Sequence, residues 1–319
     1  MISLYKIKKF IKKKEGDNLT FDAITTKWLE YKKILIKEST YSNYVYSINK
    51  YLLPTFKDMK LKKLQNYNFN EYIEMLMKSL SSKTIRDIIC VLKSILGFAE
   101  DEYNYNFKKH KIICPKIDKD NLVVLSKRER TRLENYCLKE NTLRSIGIVI
   151  CLNTGIRVGE ICALKWKDID LEKNELHIRH TLQRIYDKDQ KKTKIIIDKP
   201  KTRNSVRNIP ISNKLHEILK ELRKEYKDND FFLTGDTKKY IEPRSYQYIF
   251  KDILRKSKIK KYKFHILRHT FATECIEVGM DVKSLSEILG HASVEITLNK
   301  YVHSSYKTKK SILKNYKFS

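Results

Sequence analysis

Apolar and polar positions follow a helical period over most of this chain. From about Leu19 to Phe107 the period is almost unbroken. Thr20 stands where it can cap a helix carrying Phe21, Ile24, Trp28, Leu29 and Tyr31. Ser39 or Thr40 opens a second helix, with Tyr41, Tyr44, Ile48 and Leu52 on one side and Pro54 just past its end. A third fits Phe69 to Leu80. A fourth, opened near Ser81 or Ser82, runs through Ile85, Ile89, Leu92, Ile95 and Leu96 towards Phe98. Four helices over roughly ninety residues make a reasonable independent all-α domain.

The pattern then changes. A polar, lysine-rich stretch from His110 to Asn121, with Pro115 in its middle, reads as an interdomain linker. Ser126 and Glu129 form an S-x-x-E capping box before Leu133 and Tyr136, which announces a new helix and a new domain. A helix from Leu143 to Leu152 should stop at Gly155, and a short one fits Arg157 to Leu164. Asp168–Leu171, Leu176–Leu182, Ile195–Asp198 and Arg207–Ile211 read as strands, and the rest is helical. The expected fold class is therefore mainly α with a small β-sheet, an all-α domain followed by an α+β domain. The expected division is a basic leader at 1–17, a helical domain at 18–109, a linker at 110–122 and a second domain at 123–319.

Length and composition narrow the function classes. A chain of 319 residues is long enough for two domains with proper cores. With 41% hydrophobic residues it folds, although a third of its residues are charged. Lys and Arg outnumber Asp and Glu by 67 to 38, a formal charge of +29, which attracts polyanions and makes nucleic acid the first partner to consider. A lysine-favouring codon bias accounts for the same number, so charge alone does not decide.

The longest apolar run, Ile146 to Leu152 with Gly147 inside it, is far too short to span a bilayer. The N-terminus is basic throughout and lacks the apolar core of a secretory signal. Its Leu4, Ile7, Phe10 and Ile11 sit at helical spacing among lysines, as in a solvated arm or a segment touching DNA phosphates. The six cysteines contain no CxxC pair and read as reduced thiols of a cytoplasmic protein, without a zinc site or disulfide frame.

Four local patterns carry candidate chemistry. In Thr154-Gly155-Ile156-Arg157-Val158-Gly159-Glu160, a glycine stop places Arg157 on a turn at a helix start, and Glu160 can reach back towards it. Lys201 lies in the loop Pro200–Arg207 between two expected strands. In His265-Ile266-Leu267-Arg268-His269, His265 and Arg268 share a helical face, while His269, followed by apolar Phe271 and Ala272, reads as a core or supporting histidine. The His265/His269 pair has zinc spacing, but no HExxH glutamate or nearby third ligand accompanies it. In Leu289-Gly290-His291, glycine closes an apolar helix and leaves His291 on a turn, with Tyr301 ten residues further on.

Taken together, two arginines, a lysine, two histidines and a tyrosine suit transesterification at a phosphodiester. Cations stabilise the non-bridging oxygens where charge builds up. A phenol, with a pKa of about 10, is a nucleophile that can later leave. Lysine and histidine supply the acid and the base.

The order Arg157, Lys201, His265-x-x-Arg268, His291, Tyr301, within the strings TGIRVGEICALKW, PKTRNSVRNIPI, FHILRHTFAT, LSEILGHASVEIT and YVH, resembles the tyrosine recombinase (phage integrase) family. The first domain, with TTKWLEYKK and ESTYSNYVYSI, is similar to that family's core-binding domain. The resemblance implies that Tyr301 attacks the scissile phosphate to form a 3′-phosphotyrosyl link. Arg157 and Arg268 hold the phosphate, and Lys201 protonates the leaving 5′-oxygen. His265 serves Tyr301 as base and later acid, His291 bonds a phosphate oxygen, and Glu160 is an accessory structural acid.

It further implies no cofactor or metal, a homo-tetramer on two duplexes of core-site DNA, exchange of the tail Ser304–Ser319 between protomers, and in some members an accessory directionality factor. Residues 1–17 are too few for a separate arm-site domain. The leading expectation is a mobile-element integrase or excision recombinase acting in the cytoplasm. A chromosome or plasmid dimer resolvase comes next, then a type IB topoisomerase or a catalytically inactive DNA-binding protein. Much of the positive charge should then line a two-domain clamp around a duplex.

Overall fold

A computed structural model describes residues 15–107, 111–116, 122–187, 192–198 and 203–301. These fall into two units, one drawn from 1–120 and 185–194, the other from 121–184 and 195–319.

The first unit is helical. Helix α1 (Phe21–Leu35) starts where the Thr20 hydroxyl accepts the Ala23 N–H at 3.3 Å. Helix α2 (Glu38–Ser47) passes through a π-turn (Ile48–Leu52) into α3 (Leu53–Phe56). Here the expectation that Pro54 lies beyond the helix end is corrected, because Pro54 sits in the first turn of α3. Proline has no N–H to return along the helix, and the widened turn, with the Leu53 N–H reaching back to the Ile48 carbonyl, absorbs the missing bond. Helices α4 (Leu61–Leu64), α5 (Phe69–Met77) and α6 (Ser82–Tyr103) complete the bundle. Their core is built around Phe56, whose ring lies 4.8–5.8 Å from those of Phe21, Tyr67, Phe69 and Tyr72. Ile112, from the stretch that reads as linker, is buried in the same core.

The second unit begins with α7 (Lys127–Glu140), opened by the Ser126/Glu129 capping box. Next come the almost wholly buried α8 (Leu143–Thr154) and the short α9 (Val158–Ala163). Five strands follow along the chain, with residues 185–194 at the end of β3 and the start of β4 counting with the first unit: β1 (Ile169–Asp170), β2 (Glu175–Ile178), β3 (Thr181–Asp187), β4 (Lys192–Asp198) and β5 (Arg207–Pro210). They form one sheet in the order β1-β2-β5 and a second of β3 and β4. Pairing is antiparallel in the first sheet, with Leu176 opposite both Ile169 and Ile209.

The single strand expected over Leu176–Leu182 is thus two strands in two sheets. Alternation specifies which face a residue occupies but not which strand it pairs with, and the β2 ladder to β5 ends at Ile178. Asp168, expected at the start of a strand, instead closes a 3₁₀ turn by accepting the Lys165 N–H at 3.0 Å. Helices α10 (Asn213–Arg223), α11 (Pro243–Lys256), α12 (Ile266–Glu277), α13 (Val282–Leu289) and α14 (Val294–Tyr301) follow. Among the described residues, no helix is long and apolar enough to cross a membrane.

Gly155 ends α8 with φ +65°, and a Cβ there would fall 2.6 Å from Phe271 Cδ1 and 2.9 Å from Leu289 Cδ2. Gly155→Ala is therefore expected to cost about 1–2 kcal/mol in backbone strain alone, with repacking of Phe271 adding to it. A melting temperature equal to that of the wild type would refute this.

Candidate active site

Helix α13 is a short element with a large role. Asp281 caps its start by accepting the Ser284 N–H at 2.9 Å, and Gly290 ends it at φ +65°. The last carbonyls of a helix lack intrahelical partners and form its negative end, so they attract cations. Three arginines from three other elements take three successive carbonyls here. Arg207, opening β5, donates Nε to Ile288 O. Arg268, on α12, donates Nη2 to Leu289 O at 2.7 Å. Arg157, at the start of α9, donates Nη2 to Gly290 O at 3.0 Å. Arg268 also donates Nη1 to the Gly155 carbonyl at the end of α8, at 2.9 Å. A Cβ at position 290 would sit 3.1 Å from both Cδ and Nη1 of Arg207, so glycine also leaves room for that arginine.

Glu160 ties two of these cations together. Its carboxylate accepts Arg157 Nη1 at 2.8 Å, the Arg157 backbone N–H at 2.8 Å, and Arg207 Nη1 and Nη2 at 3.1 and 3.0 Å. Burial alone would raise the Glu160 carboxyl, but the charges and hydrogen bonds of Arg207 and Arg157 outweigh it and hold the group below the usual carboxylate range. Burial, aided by the nearby Arg157 charge, pushes the Arg268 guanidinium down to about 9, which leaves it charged at neutral pH.

Tyr301, the last residue of α14, is 5% exposed. Its hydroxyl lies 2.9 Å from Nδ1 of His269. Burial raises the phenol above its ordinary range, opposed by the charge and hydrogen bond of Arg268 and by the charge of Arg157. His291, just after Gly290, stacks parallel to Tyr301 with ring centroids 6.3 Å apart, and its Nδ1 pairs with Thr297 Oγ1 at 2.7 Å. His265 stands at the N-terminus of α12 and meets His269 edge-on, centroids 4.4 Å apart. Arg157, His265 and Arg268 line a cleft of about 540 Å³ whose other charged lining residues are Lys251 and Lys263. Such a surface suits a phosphate anion.

The structure thus brings Arg157, Glu160, His265, Arg268, His291 and Tyr301 into one neighbourhood of the second unit. Lys201 lies outside the described residues, as do the leader up to residue 14 and the tail Ser304–Ser319. Among the described residues, no group of three or more His, Cys, Asp or Glu is arranged to hold a metal ion. Two further residues of this neighbourhood stand outside the candidate catalytic set drawn from the sequence. Arg207 had a signal, since it alternates with Ile209 on the buried face of β5. His269 reads from its apolar neighbours as a core or supporting histidine, with no local signal for its contact with Tyr301.

Desolvation, with neighbouring cations, lowers the pKa of both His269 and His291 to about 4. In the unfolded chain a histidine titrates at about 6.5. Between these values the unfolded state binds more protons, so acid favours unfolding. The stability gained from these rings is complete above about pH 6.5 and is lost as pH falls towards 4. From pH 7 to pH 5 each ring should forfeit about 1–2 kcal/mol while most carboxylates remain ionised. Urea unfolding at the two pH values checks this, and equal midpoints would contradict it.

Comparison with known proteins follows the same lines. The Phage integrase family matches residues 121–308, and the phage integrase N-terminal SAM-like domain matches residues 20–77. A XerC-like tyrosine recombinase of Caldanaerobacter subterraneus subsp. tengcongensis is 30% identical over 83% of this chain and 72% of its own length. The ICEBs1 integrase of Bacillus subtilis is 26% identical over 91% of this chain and 80% of its own. Among solved structures, the Tn1549 transposon integrase in complex with circular intermediate DNA has a TM-score of 0.72 at 23% identity, covering 93% of this chain and 99% of that one. A lambda integrase dimer bound to a core site has a TM-score of 0.62 at 18% identity, covering 88% and 96%. These two structures share the mainly helical, two-part fold. With the family match spanning residues 121–308, on which the arginine, histidine and tyrosine arrangement is built, the chain belongs to the phage integrase family of tyrosine recombinases.

Proposed function

We propose that this chain is a site-specific DNA recombinase that cuts and rejoins duplex DNA through a 3′-phosphotyrosyl bond to Tyr301, in the service of integration and excision of a mobile element. The observation that carries the reading is the docking of Arg157 and Arg268 on the adjacent carbonyls of Gly290 and Leu289, beside a buried phenol. A guanidinium has five N–H donors, and these bonds use only some of them. Two pre-aimed guanidinia then meet the non-bridging oxygens as charge accumulates, with little reorganisation left to do.

In this reading Tyr301 Oη attacks phosphorus, the bond to the 5′-oxygen breaks, and Lys201 protonates that oxygen. His291, with Nδ1 engaged by Thr297, has Nε2 to offer a phosphate oxygen. Glu160 holds Arg157 in place. The phosphotyrosyl bond conserves the energy of the broken phosphodiester, so a 5′-hydroxyl suffices to reverse it. The first unit serves as the core-site binding domain, and the active assembly is a tetramer on two duplexes in the cytoplasm. The similarity to the ICEBs1 integrase over 91% of this chain supports the mobile-element role.

The test is covalent capture from a pool of nicked duplexes of randomised sequence. A DNA adduct should form, and its peptide should carry the nucleotide on Tyr301. The recovered duplex, placed on two plasmids or repeated on one, should support joining and excision. Absence of an adduct, or an adduct on another residue, overturns the reading. Resolution of dimers without joining of separate molecules overturns the mobile-element role alone.

A further inference from the structure

The hydrogen bond between Tyr301 and His269 has no place in the roles above, and the family resemblance assigns the phenol proton to His265. We propose that His269 is the catalytic base that accepts the phenol proton as Tyr301 attacks, and the acid that returns it when the strand is rejoined. This rests on Tyr301 being the nucleophile.

The 2.9 Å separation between Tyr301 Oη and His269 Nδ1 is within the reach a general base needs. The direction of the bond follows from the His269 tautomer. With the ring proton of His269 on Nε2, Nδ1 is the acceptor and the phenol donates its proton to it. The positive charge of Arg268 favours the phenolate form of Tyr301 and so eases loss of its proton. A neutral imidazole has one lone pair to receive it, and His269 is neutral at ordinary pH because burial, Lys300 and Arg268 all disfavour its charged form. His265 stands one helical turn earlier, at the start of α12, and lines the cationic cleft. Its ring touches that of His269 rather than standing between His269 and the phenol.

The groups facing His269 are His265 and Arg268 on its own helix, and Lys300 and Tyr301 on α14. Burial, Lys300 and Arg268 disfavour protonation until a phosphate brings negative charge into the cleft. In the step, Tyr301 Oη bonds to phosphorus, the bond to the 5′-oxygen breaks, the phenol proton passes to His269 Nδ1, and the 5′-oxygen takes its proton from Lys201. Rejoining runs the same transfers backwards.

The experiment uses the duplex recovered by covalent capture, in its ordinary form and with sulfur replacing the bridging 5′-oxygen at the cut. A sulfur leaving group needs no acid, so it rescues a lost acid but not a lost base. His269→Asn and His269→Ala should slow adduct formation on both duplexes by about 10²–10⁴-fold. Their residual rates should climb from pH 7 to pH 9, as phenolate forms without help, while the wild-type rate stays level. His265→Asn should be less impaired and show no such climb.

Circular dichroism and duplex retention check the fold. Should the alanine variant be unfolded, the asparagine variant, closer in shape, decides. Wild-type rates in His269→Asn, rescue of either His269 variant by sulfur, or the pH climb appearing in His265→Asn instead would each overturn the assignment. Failure of the wild-type protein to form any adduct would overturn the recombinase reading itself, a different result.

Discussion

Tyr301→Phe is expected to abolish covalent capture of DNA while leaving the protein folded and able to hold a duplex. The substitution removes one oxygen from a ring that packs with Ala272, Cys275, Leu285 and Leu289, so the apolar contacts persist. The hydrogen bond to His269 is lost, at a cost of about 0.5–1.5 kcal/mol, too little to unfold a unit of this size. Chemistry is affected far more, because no other group occupies the position of the phenol oxygen. Denaturing gels should show no protein–DNA adduct at any time point, whereas gel shifts at moderate salt should match the wild type. An adduct that persists in the phenylalanine variant would remove Tyr301 from the mechanism. Duplex binding by both proteins should also weaken steeply as salt rises, because each lysine or arginine on a phosphate releases a counterion.

The second large effect is expected at Glu160. Its carboxylate is 3% exposed and faces an Arg207 side chain that is 6% exposed. Breaking a buried pair by removing one partner typically costs about 3–5 kcal/mol, because the other charge stays buried without compensation. Glu160→Ala should lose stability on that scale, read as a lower urea midpoint. It should also slow cleavage, since Arg157 loses the carboxylate that fixes its guanidinium. Replacing both partners together, as Glu160→Leu with Arg207→Met, should recover much of the stability but not the cleavage rate. That split separates the two roles of the carboxylate. Wild-type stability in Glu160→Ala would show that Arg207 has another counter-charge, and wild-type cleavage would show that Arg157 needs no brace.

Both predictions depend on contacts that differ in how far the sequence reveals them. Many ends of elements were readable because local chemistry decides them. Gly155 and Gly290 stop helices with positive φ, Ser126 and Glu129 cap one, and Thr20 and Ser81 cap others. Helix α2 departs from this, starting at Glu38 after an N-cap Lys37 that makes no side-chain cap bond, ahead of the expected start at Ser39 or Thr40. The residues suited to phosphate chemistry were readable as types, from strings whose order resembles a known family. Pro54 was misread because a proline ordinarily ends a helix, and only packing of Leu52 and Phe56 into the aromatic core makes a π-turn the better solution. Division of the Leu176–Leu182 run between two sheets was unreadable because partner choice depends on β4 and β5, which follow later in the chain.

The amino-acid sequence by itself determined the helical first part, the mixed second part, the turns that carry Arg157 and His291, and the chemical repertoire of the site. These follow from backbone preferences and side-chain chemistry acting over a few neighbouring residues. Tertiary structure alone decided that Arg207, Arg268 and Arg157 cap three successive carbonyls of one short helix, and that the phenol of Tyr301 meets His269 rather than His265. The reason is physical. An unpaired helix-end carbonyl takes whichever donor the packing of distant elements brings within about 3 Å, and no local pattern encodes that choice.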